Sequence, residues 1–116
     1  MLTNQIKEEI LHGQTVLGIE LGSTRIKAVL INSENQPIAQ GGHDWENTLL
    51  DGVWTYSLDD VWKGIQSCFA SLQANIQKDY GVKLTRTKAM GISAMMHGYL
   101  PFDAKGNQLT DRKSVV

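Results

Sequence analysis

The most constraining feature of this chain is a run of apolar, largely β-branched residues that is interrupted by a carboxylate, a glycine and two hydroxyls. The run is GIELGSTRIKAVLI, residues 18–31, and the interruption comprises Glu20, Gly22, Ser23 and Thr24. The stretches on either side are typical of β-strands, and the few residues between them predict a hairpin turn. Taken alone, Gly22 predicts a turn residue with a positive φ.

The predicted turn also carries chemistry that a simple hairpin does not need. Backbone N–H groups in a tight glycine turn can bind phosphate oxygens, the hydroxyls of Ser23 and Thr24 add donors, and Lys27 on the returning strand can offset negative charge. Glu20 can hold Mg²⁺ through water, because this ion prefers oxygen ligands and keeps much of its hydration shell. Neither common phosphate loop, G-x-x-x-x-G-K-[ST] or G-x-G-x-x-G, is present. The sequence therefore predicts a phosphate-binding turn between two strands.

Turn-forming residues extend this hairpin into a sheet. The segment SENQP, residues 33–37, predicts a second turn. A third strand is expected over residues 38–45, with a bulge at Gly41 and Gly42. The sequence therefore predicts three consecutive antiparallel strands.

Apolar residues that recur every 3.6 positions predict one long helix from Leu58 to Tyr80. Ser57 fits as its N-cap and Gly81 as the left-handed residue that ends it. The other predicted elements are a short helix between a Thr3 cap and Gly13, a strand over residues 88–94 and a hairpin around residues 103–107.

Composition and charge exclude several classes of function. The 116 residues suffice for one small domain, and the formal charge of −1 comes without a basic stripe, so we expect no nucleic-acid partner. Cys68 is the single cysteine, which excludes an internal disulfide and predicts a small core side chain. No signal-peptide pattern or transmembrane-length run occurs, so we expect a cytoplasmic protein without a membrane partner.

Three segments, in order, resemble the superfamily of sugar kinases, heat-shock ATPases and actin. LGIELGSTRIKAVLI is similar to its first phosphate motif. The segments GVWTYSLDDVW, residues 52–62, and MGISAMMHGYLPFDAKGNQL, residues 90–109, are similar to the FGGY carbohydrate kinases, especially their xylulokinase-like branch. The resemblance implies an α/β fold of the ribonuclease H-like, actin-like ATPase type. Its mixed sheet has three antiparallel strands, followed by a long helix and further strands.

The resemblance also implies ATP and Mg²⁺ as cofactors. It places Gly22, Ser23 and Thr24 at the β- and γ-phosphates of ATP, with Lys27 facing the same phosphates. Glu20 stands where the family usually has an aspartate near the magnesium ion and the transferred phosphate. The glutamate keeps the charge and lengthens the side chain by one methylene.

A second group of residues is implied to contact the sugar. Met96 and His97, in SAMMHG, match the pair that contacts sugar hydroxyls in xylulokinase-like members. Without the resemblance, His97 is better interpreted as a structural histidine bonded to backbone. Tyr56 lies where related kinases carry a polar residue after a sugar-contacting acid, which Thr55 replaces. Trp54 and Tyr56 are open to two interpretations, pocket wall or plain packing.

The chain departs from the FGGY kinases in its length and at its end. These kinases hold ATP and sugar between two actin-like domains, and the general base and adenosine pocket belong to the second, so no catalytic residue is assigned here. We interpret residues 1–14 as a helical extension, residues 15–109 as a partial N-terminal actin-like domain and residues 110–116 as a tail that arises from cloning or reading frame. We expect exposed domain surface to favour self-association.

The leading hypothesis is a fragment of a kinase that transfers the γ-phosphate of ATP to a hydroxyl of a sugar or polyol. A xylulose-like ketose is the first choice of substrate, and the fragment itself is expected to be inactive. Two other functions stay open: a non-catalytic nucleotide- or sugar-binding domain of the same fold, and a ribonuclease H-like interaction module without a ligand. Fold resemblance alone names no substrate.

Overall fold

A computed structural model describes residues 2–46, 48–55, 57–94, 98–99, 101–109 and 113–114 of the chain. The described elements, in chain order, are α1 (Leu2–Leu11), β1 (Val16–Leu21), β2 (Arg25–Ile31), β3 (Pro37–Asp44), β4 (Thr48–Leu50), β5 (Val53–Thr55), α2 (Leu58–Tyr80), β6 (Ala89–Ala94), β7 (Gly98–Tyr99) and β8 (Lys113–Ser114). The predicted order of three strands, a long helix and a further strand is confirmed, and two short strands that were not predicted, β4 and β5, precede the long helix.

The main sheet has four strands in the order β3-β2-β1-β6. The pairs β1–β2 and β2–β3 are antiparallel, as the sequence predicts, whereas β6 pairs with β1 in parallel. Two smaller antiparallel pairs, β4–β5 and β7–β8, lie outside this sheet. Because α2 separates β3 from β6 in the chain, it provides the long connection that a strand needs to return parallel to its neighbour.

The expected bulge at Gly41 and Gly42 is wrong. These glycines keep regular register opposite Ala28 and Lys27, and the one irregularity in the β2–β3 pair falls between Leu30 and Ile31. The role of the two glycines is steric, because each one allows another part of the chain to approach β3 closely.

At Gly41 it is α2 that approaches β3. A Cβ on Gly41 would lie 2.7 Å from the Cys68 carbonyl oxygen and 2.8 Å from the Leu72 Cα. A Cβ on Gly64, from the helix side, would meet the Ile26 side chain and lie 3.0 Å from the His43 ring. Because both residues lack a side chain, the helix backbone can pack directly against the sheet.

The long helix has the caps that the sequence predicts. The Ser57 hydroxyl accepts a hydrogen bond of 3.0 Å from the Asp60 N–H, and Gly81, at a φ of 69°, donates to the Gln77 carbonyl. The buried stripe of α2 contains Gly64, Cys68, Leu72 and Ile76. This stripe packs on Ile26, Ala28 and Leu30 of β2, which are all buried in the same core.

The short helix α1 differs in detail from its prediction. It starts at Leu2, so Thr3 lies within its first turn and does not precede it as a cap. Gly13, at a φ of 65°, follows the end of the helix. Ile6 and Ile10 are buried in the same core as the sheet residues, and the division of the chain at residue 14 stays a prediction. In the described part of the chain, neither helix is both long and apolar enough to span a bilayer.

Cys68 is a core side chain, as predicted, with 1% of its surface exposed. Burial raises the pKa of its thiol, against a smaller opposing effect of the Arg25 charge. A neutral buried thiol behaves as a small apolar group.

The two faces of the sheet differ in character. Side chains alternate along each strand, so the exposed residues of β2 point away from α2. We call the side of the sheet opposite α2 the open face and define it by Gly18, Glu20, Lys27, Gly42 and Ser93. On the α2 side, beyond the reach of the helix, Met90 and Ile92 of β6 are 54% and 65% exposed. The expectation of self-association rests on such surface and stays a prediction.

We predict that Gly41→Ala lowers the free energy of unfolding by about 1–3 kcal/mol or more, because the added methyl meets helix backbone that cannot rotate away. The matched control is Gly91→Ala, since nothing lies within 4 Å of a Cβ at that strand position. Urea unfolding of both variants measures the difference. Equal stability of the two variants would contradict the close packing of α2 on β3.

Candidate functional site

The turn between β1 and β2 is closed by backbone contacts. The Gly22 N–H donates a hydrogen bond of 2.9 Å to the Arg25 carbonyl, which leaves Ser23 and Thr24 at the tip of the turn. Both tip residues are exposed, and neither has a positive φ. The turn therefore presents its two hydroxyl-bearing residues at the end of the sheet.

Gly22 is required for a reason that differs from the expected one. Positive φ occurs among the described glycines at Gly13, Gly52, Gly81 and Gly106, and not at Gly22. A Cβ on Gly22 would instead lie 2.9 Å from the Arg25 carbonyl oxygen, which accepts the Gly22 hydrogen bond. The glycine is thus needed because two backbone segments approach each other, and the positive-φ interpretation is wrong.

Strand register brings Glu20 and Lys27 together in one row on the open face. Glu20 lies opposite Lys27 in the β1–β2 pair and beside Ser93 in the β1–β6 pair. Lys27 in turn lies opposite Gly42. One Glu20 carboxylate oxygen lies 3.7 Å from the place that a Gly22 Cβ would occupy. The carboxylate therefore reaches from its strand toward the turn.

The charged groups in this row are open to solvent. Glu20 and Lys27 are both exposed, and within the described ranges they form no ion pair with each other at 4 Å or less. Exposed ion pairs contribute little to stability, so opposite charges at this spacing are not needed to hold the strands together. Both charged ends remain available to a ligand.

Arg25 is a second cation at this site that the sequence interpretation did not assign. It follows Thr24 directly and forms an exposed ion pair with Asp44 at 3.7 Å. A Cβ on Gly42 would lie 2.7 Å from one terminal guanidinium nitrogen of Arg25, so the side chain extends across this glycine. Gly42 in β3 was the sequence feature that could have indicated this contact. Its role becomes clear only when the β2–β3 register is known.

Trp45 also belongs to the surroundings of the turn. Its indole Nε1–H donates a hydrogen bond of 2.8 Å to the Gly22 carbonyl, and its backbone N–H donates one of 3.1 Å to the Thr24 carbonyl. The only sign of this contact in the sequence is a tryptophan at the end of a predicted strand.

The donors in this region suit a hydrated Mg²⁺ ion and do not suit a fully enclosed metal. In the part of the chain that the structure describes, no three His, Cys, Asp or Glu residues cluster to hold a metal. A single exposed carboxylate such as Glu20 fits an ion that takes its other ligands from water and phosphate oxygens.

The predicted sugar-contacting residues Tyr56, Met96 and His97 lie outside the described residues. Strand β5 ends at Thr55, directly before Tyr56, and β6 ends at Ala94, two positions before Met96. The role of these three residues therefore stays a prediction.

The fold is the ribonuclease H-like, actin-like ATPase fold. Solved structures with the same arrangement include the xyloylose kinase of Brucella ovis, with a TM-score of 0.70, 22% identity and coverage of 85% of this chain. The xylulose kinase of Rhodospirillum rubrum has a TM-score of 0.67, 17% identity and 86% coverage. For the glycerol kinase of Plasmodium falciparum, solved with ADP, the values are 0.63, 15% and 86%. The chain spans about a fifth of each of these proteins, 20% in all three cases.

Residues 15–115 match the N-terminal domain of the FGGY family of carbohydrate kinases. The chain belongs to this family. No curated protein sequence matches it significantly. The matched range runs past Leu109, and the boundary drawn there from the sequence stays a prediction.

We predict that Gly22→Ala lowers the free energy of unfolding by about 1–3 kcal/mol, because the new methyl meets the Arg25 carbonyl. Amide exchange is expected to accelerate most strongly in the turn. Gly18→Ala is the matched control within β1, where a Cβ would lie 3.9 Å from the Val29 carbonyl oxygen, an ordinary contact. An equal loss of stability in both variants would contradict the specific role of Gly22.

Proposed function

We propose that this chain forms the phosphate-binding wall of a cytoplasmic kinase that transfers the γ-phosphate of ATP to a hydroxyl of a sugar or polyol. The observation that carries the proposal is the turn itself, with the exposed residues Ser23 and Thr24 at its tip and Glu20 opposite Lys27 on the strands behind it. Membership in the FGGY carbohydrate kinases supports the reaction class. A xylulose-like ketose is the first substrate to test.

In this proposal the turn binds the β- and γ-phosphates. Ser23 and Thr24 supply hydroxyl donors, and backbone N–H groups at the tip supply further ones. Lys27 offsets phosphate charge from the neighbouring strand. Phosphoryl transfer depends mainly on positioning and charge neutralisation, and these groups supply part of both.

Glu20 is the proposed contact to Mg²⁺. Its carboxylate would hold the ion through water while the ATP phosphates occupy other coordination positions. When bound, the ion neutralises charge that develops on the phosphate oxygens. Glu20 is exposed, so water can reach its carboxylate.

The sugar-contacting part of the proposal rests on Tyr56, Met96 and His97. In chain order, Tyr56 comes directly after β5, and Met96 and His97 come shortly after β6. His97 can donate or accept a hydrogen bond near neutral pH, which suits a sugar hydroxyl.

By itself, the chain is proposed to be inactive. It spans about a fifth of the kinases that it resembles, 20% in the first of them, and the general base is proposed to lie outside it. Catalysis of this kind needs several groups that converge on the reacting atoms. One wall of the cleft would bind phosphate without turnover.

We predict that Thr24→Ala and Lys27→Ala each weaken MgATP binding by about 10- to 100-fold, since each removes a hydrogen bond or charge contact to a charged ligand. The controls are Thr85→Ala and Lys83→Ala, which alter exposed residues in the loop before β6. Calorimetric titration of this chain measures affinity, and sugar-dependent ADP release by the complete kinase measures turnover.

The outcomes separate the candidate functions. Binding that is lost in the turn variants, together with turnover by the complete kinase, supports the proposal. Binding without turnover in the complete protein would instead indicate a nucleotide sensor. If neither protein binds MgATP or sugar, the chain is an interaction module and the proposal fails.

We predict that Glu20→Gln raises the Mg²⁺ concentration needed for half-maximal ATP binding by about tenfold or more, because a water-mediated carboxylate is lost. Glu20→Asp keeps the charge and is expected to change this value much less. Glu34→Gln, in the exposed turn at the other end of β2, is the control. A shift of equal size with Glu34→Gln would rule out a specific role for Glu20.

A further inference from the structure

We propose that Trp45 is a positioning residue of the phosphate turn, which it holds in its binding conformation through the indole N–H. This inference rests on the proposed function, because it assumes that the β1–β2 turn binds the phosphates of ATP. It assigns to a core side chain a part in ligand binding that is separate from packing.

The two hydrogen bonds from Trp45 involve both ends of the tip. The indole Nε1–H bonds to the Gly22 carbonyl at 2.8 Å, before the tip, and the backbone N–H bonds to the Thr24 carbonyl at 3.1 Å, at its end. One residue directly after β3 thus fixes the peptide group that precedes Ser23 and the peptide group that follows Thr24. A turn of this length has few other backbone torsions to adjust.

Trp45 supports the turn from the side of the sheet that α2 covers. The β2–β3 register pairs Arg25 with Asp44, and both are exposed. The next residue, Trp45, points to the opposite side by strand alternation, and it is 7% exposed within the core. The indole therefore lies behind the turn, while Glu20 and Lys27 lie on the open face.

The geometry of the peptide group connects this hydrogen bond to ligand binding. The Gly22 carbonyl and the Ser23 N–H belong to one planar trans peptide, in which C=O and N–H point in opposite directions. When the buried indole holds the carbonyl inward, the Ser23 N–H is directed outward. Trp45 thereby sets the direction of a backbone donor without touching the ligand.

Preorganisation of this kind affects affinity more than specificity. A donor that is already oriented does not have to be ordered at the moment of binding, and this lowers the cost of association. A tryptophan that only fills the core would have no such effect. The two roles are separated by Trp45→Phe, which keeps an aromatic ring and removes the N–H.

The first test follows the indole N–H signals of the chain by NMR during titration with MgATP. Single substitutions of the three tryptophans, Trp45, Trp54 and Trp62, assign the signals. We expect the Trp45 signal to shift with MgATP and to remain unchanged with AMP, which lacks the β- and γ-phosphates. Trp62, which is 57% exposed on α2, is the internal reference. If the protein binds MgATP and the Trp45 indole signal does not shift, the inference is overturned.

The second test compares affinities. We expect Trp45→Phe to weaken MgATP binding by about 3- to 10-fold, the range expected for one neutral hydrogen bond, and Trp62→Phe to leave it unchanged. Unchanged affinity in a folded Trp45→Phe variant, alongside the loss in Thr24→Ala, overturns this inference and leaves the proposed function intact. If the unaltered chain and the complete kinase both fail to bind MgATP, the proposed function and this inference fail together. If Trp45→Phe does not fold, the NMR titration of the unaltered chain tests the inference by itself.

Discussion

The candidate site depends on the register of the antiparallel pair β1–β2. Side chains alternate between the two faces of a sheet, so a slip of one residue would move Glu20 or Lys27 from the open face to the face covered by α2. The observed register places these two residues opposite each other and closes the turn with the hydrogen bond from Gly22 to Arg25. Apolar residues enforce this register, because Ile26, Ala28 and Leu30 must remain on the buried side.

The close packing of α2 protects that register. Gly41 and Gly64 let backbone and side chain approach without space for a methyl group. Protein interiors are packed as densely as organic crystals, so contacts this close fit in only one alignment of strand and helix. The same helix bonds to β3 through side chains, with the Asn75 amide donating to the Gln40 carbonyl and the Tyr80 hydroxyl to the Ile38 carbonyl. A core far from the turn thus determines which side chains lie on the open face.

Local sequence patterns were sufficient for much of this fold. The hairpin around Gly22, the long helix and both of its caps depend on neighbouring residues, and each is present as predicted. The same holds for the turn near residue 105, where the Asp103 carboxylate accepts hydrogen bonds from the N–H groups of Lys105 and Asn107. These bonds lower the pKa of Asp103, the Asn107 contacts most of all.

Contacts between distant segments could not be predicted in this way. Ser93 lies beside Glu20 because β6 returns parallel to β1, and no local pattern specifies which strand β6 joins. The meaning of Gly41 depends on where α2 lies, and that of Gly42 on the path of Arg25. Trp45 reaches Gly22 across 23 positions of the chain. A hydrogen bond between an indole and a carbonyl leaves no trace in the periodicity of either strand.

The glutamate at position 20 has a physical consequence that connects it to the glycine two residues later. Glu20 lies on the open face of β1 and Gly22 directly follows the strand, and the longer side chain places a carboxylate oxygen 3.7 Å from where a Gly22 Cβ would stand. A side chain at position 22 would therefore meet the Arg25 carbonyl on one side and approach this carboxylate on the other. An aspartate would leave its charge about one methylene nearer the strand. The glutamate thus brings its charge close to the turn, whereas the need for glycine at position 22 comes from the Arg25 carbonyl oxygen, 2.9 Å from where a Cβ would stand.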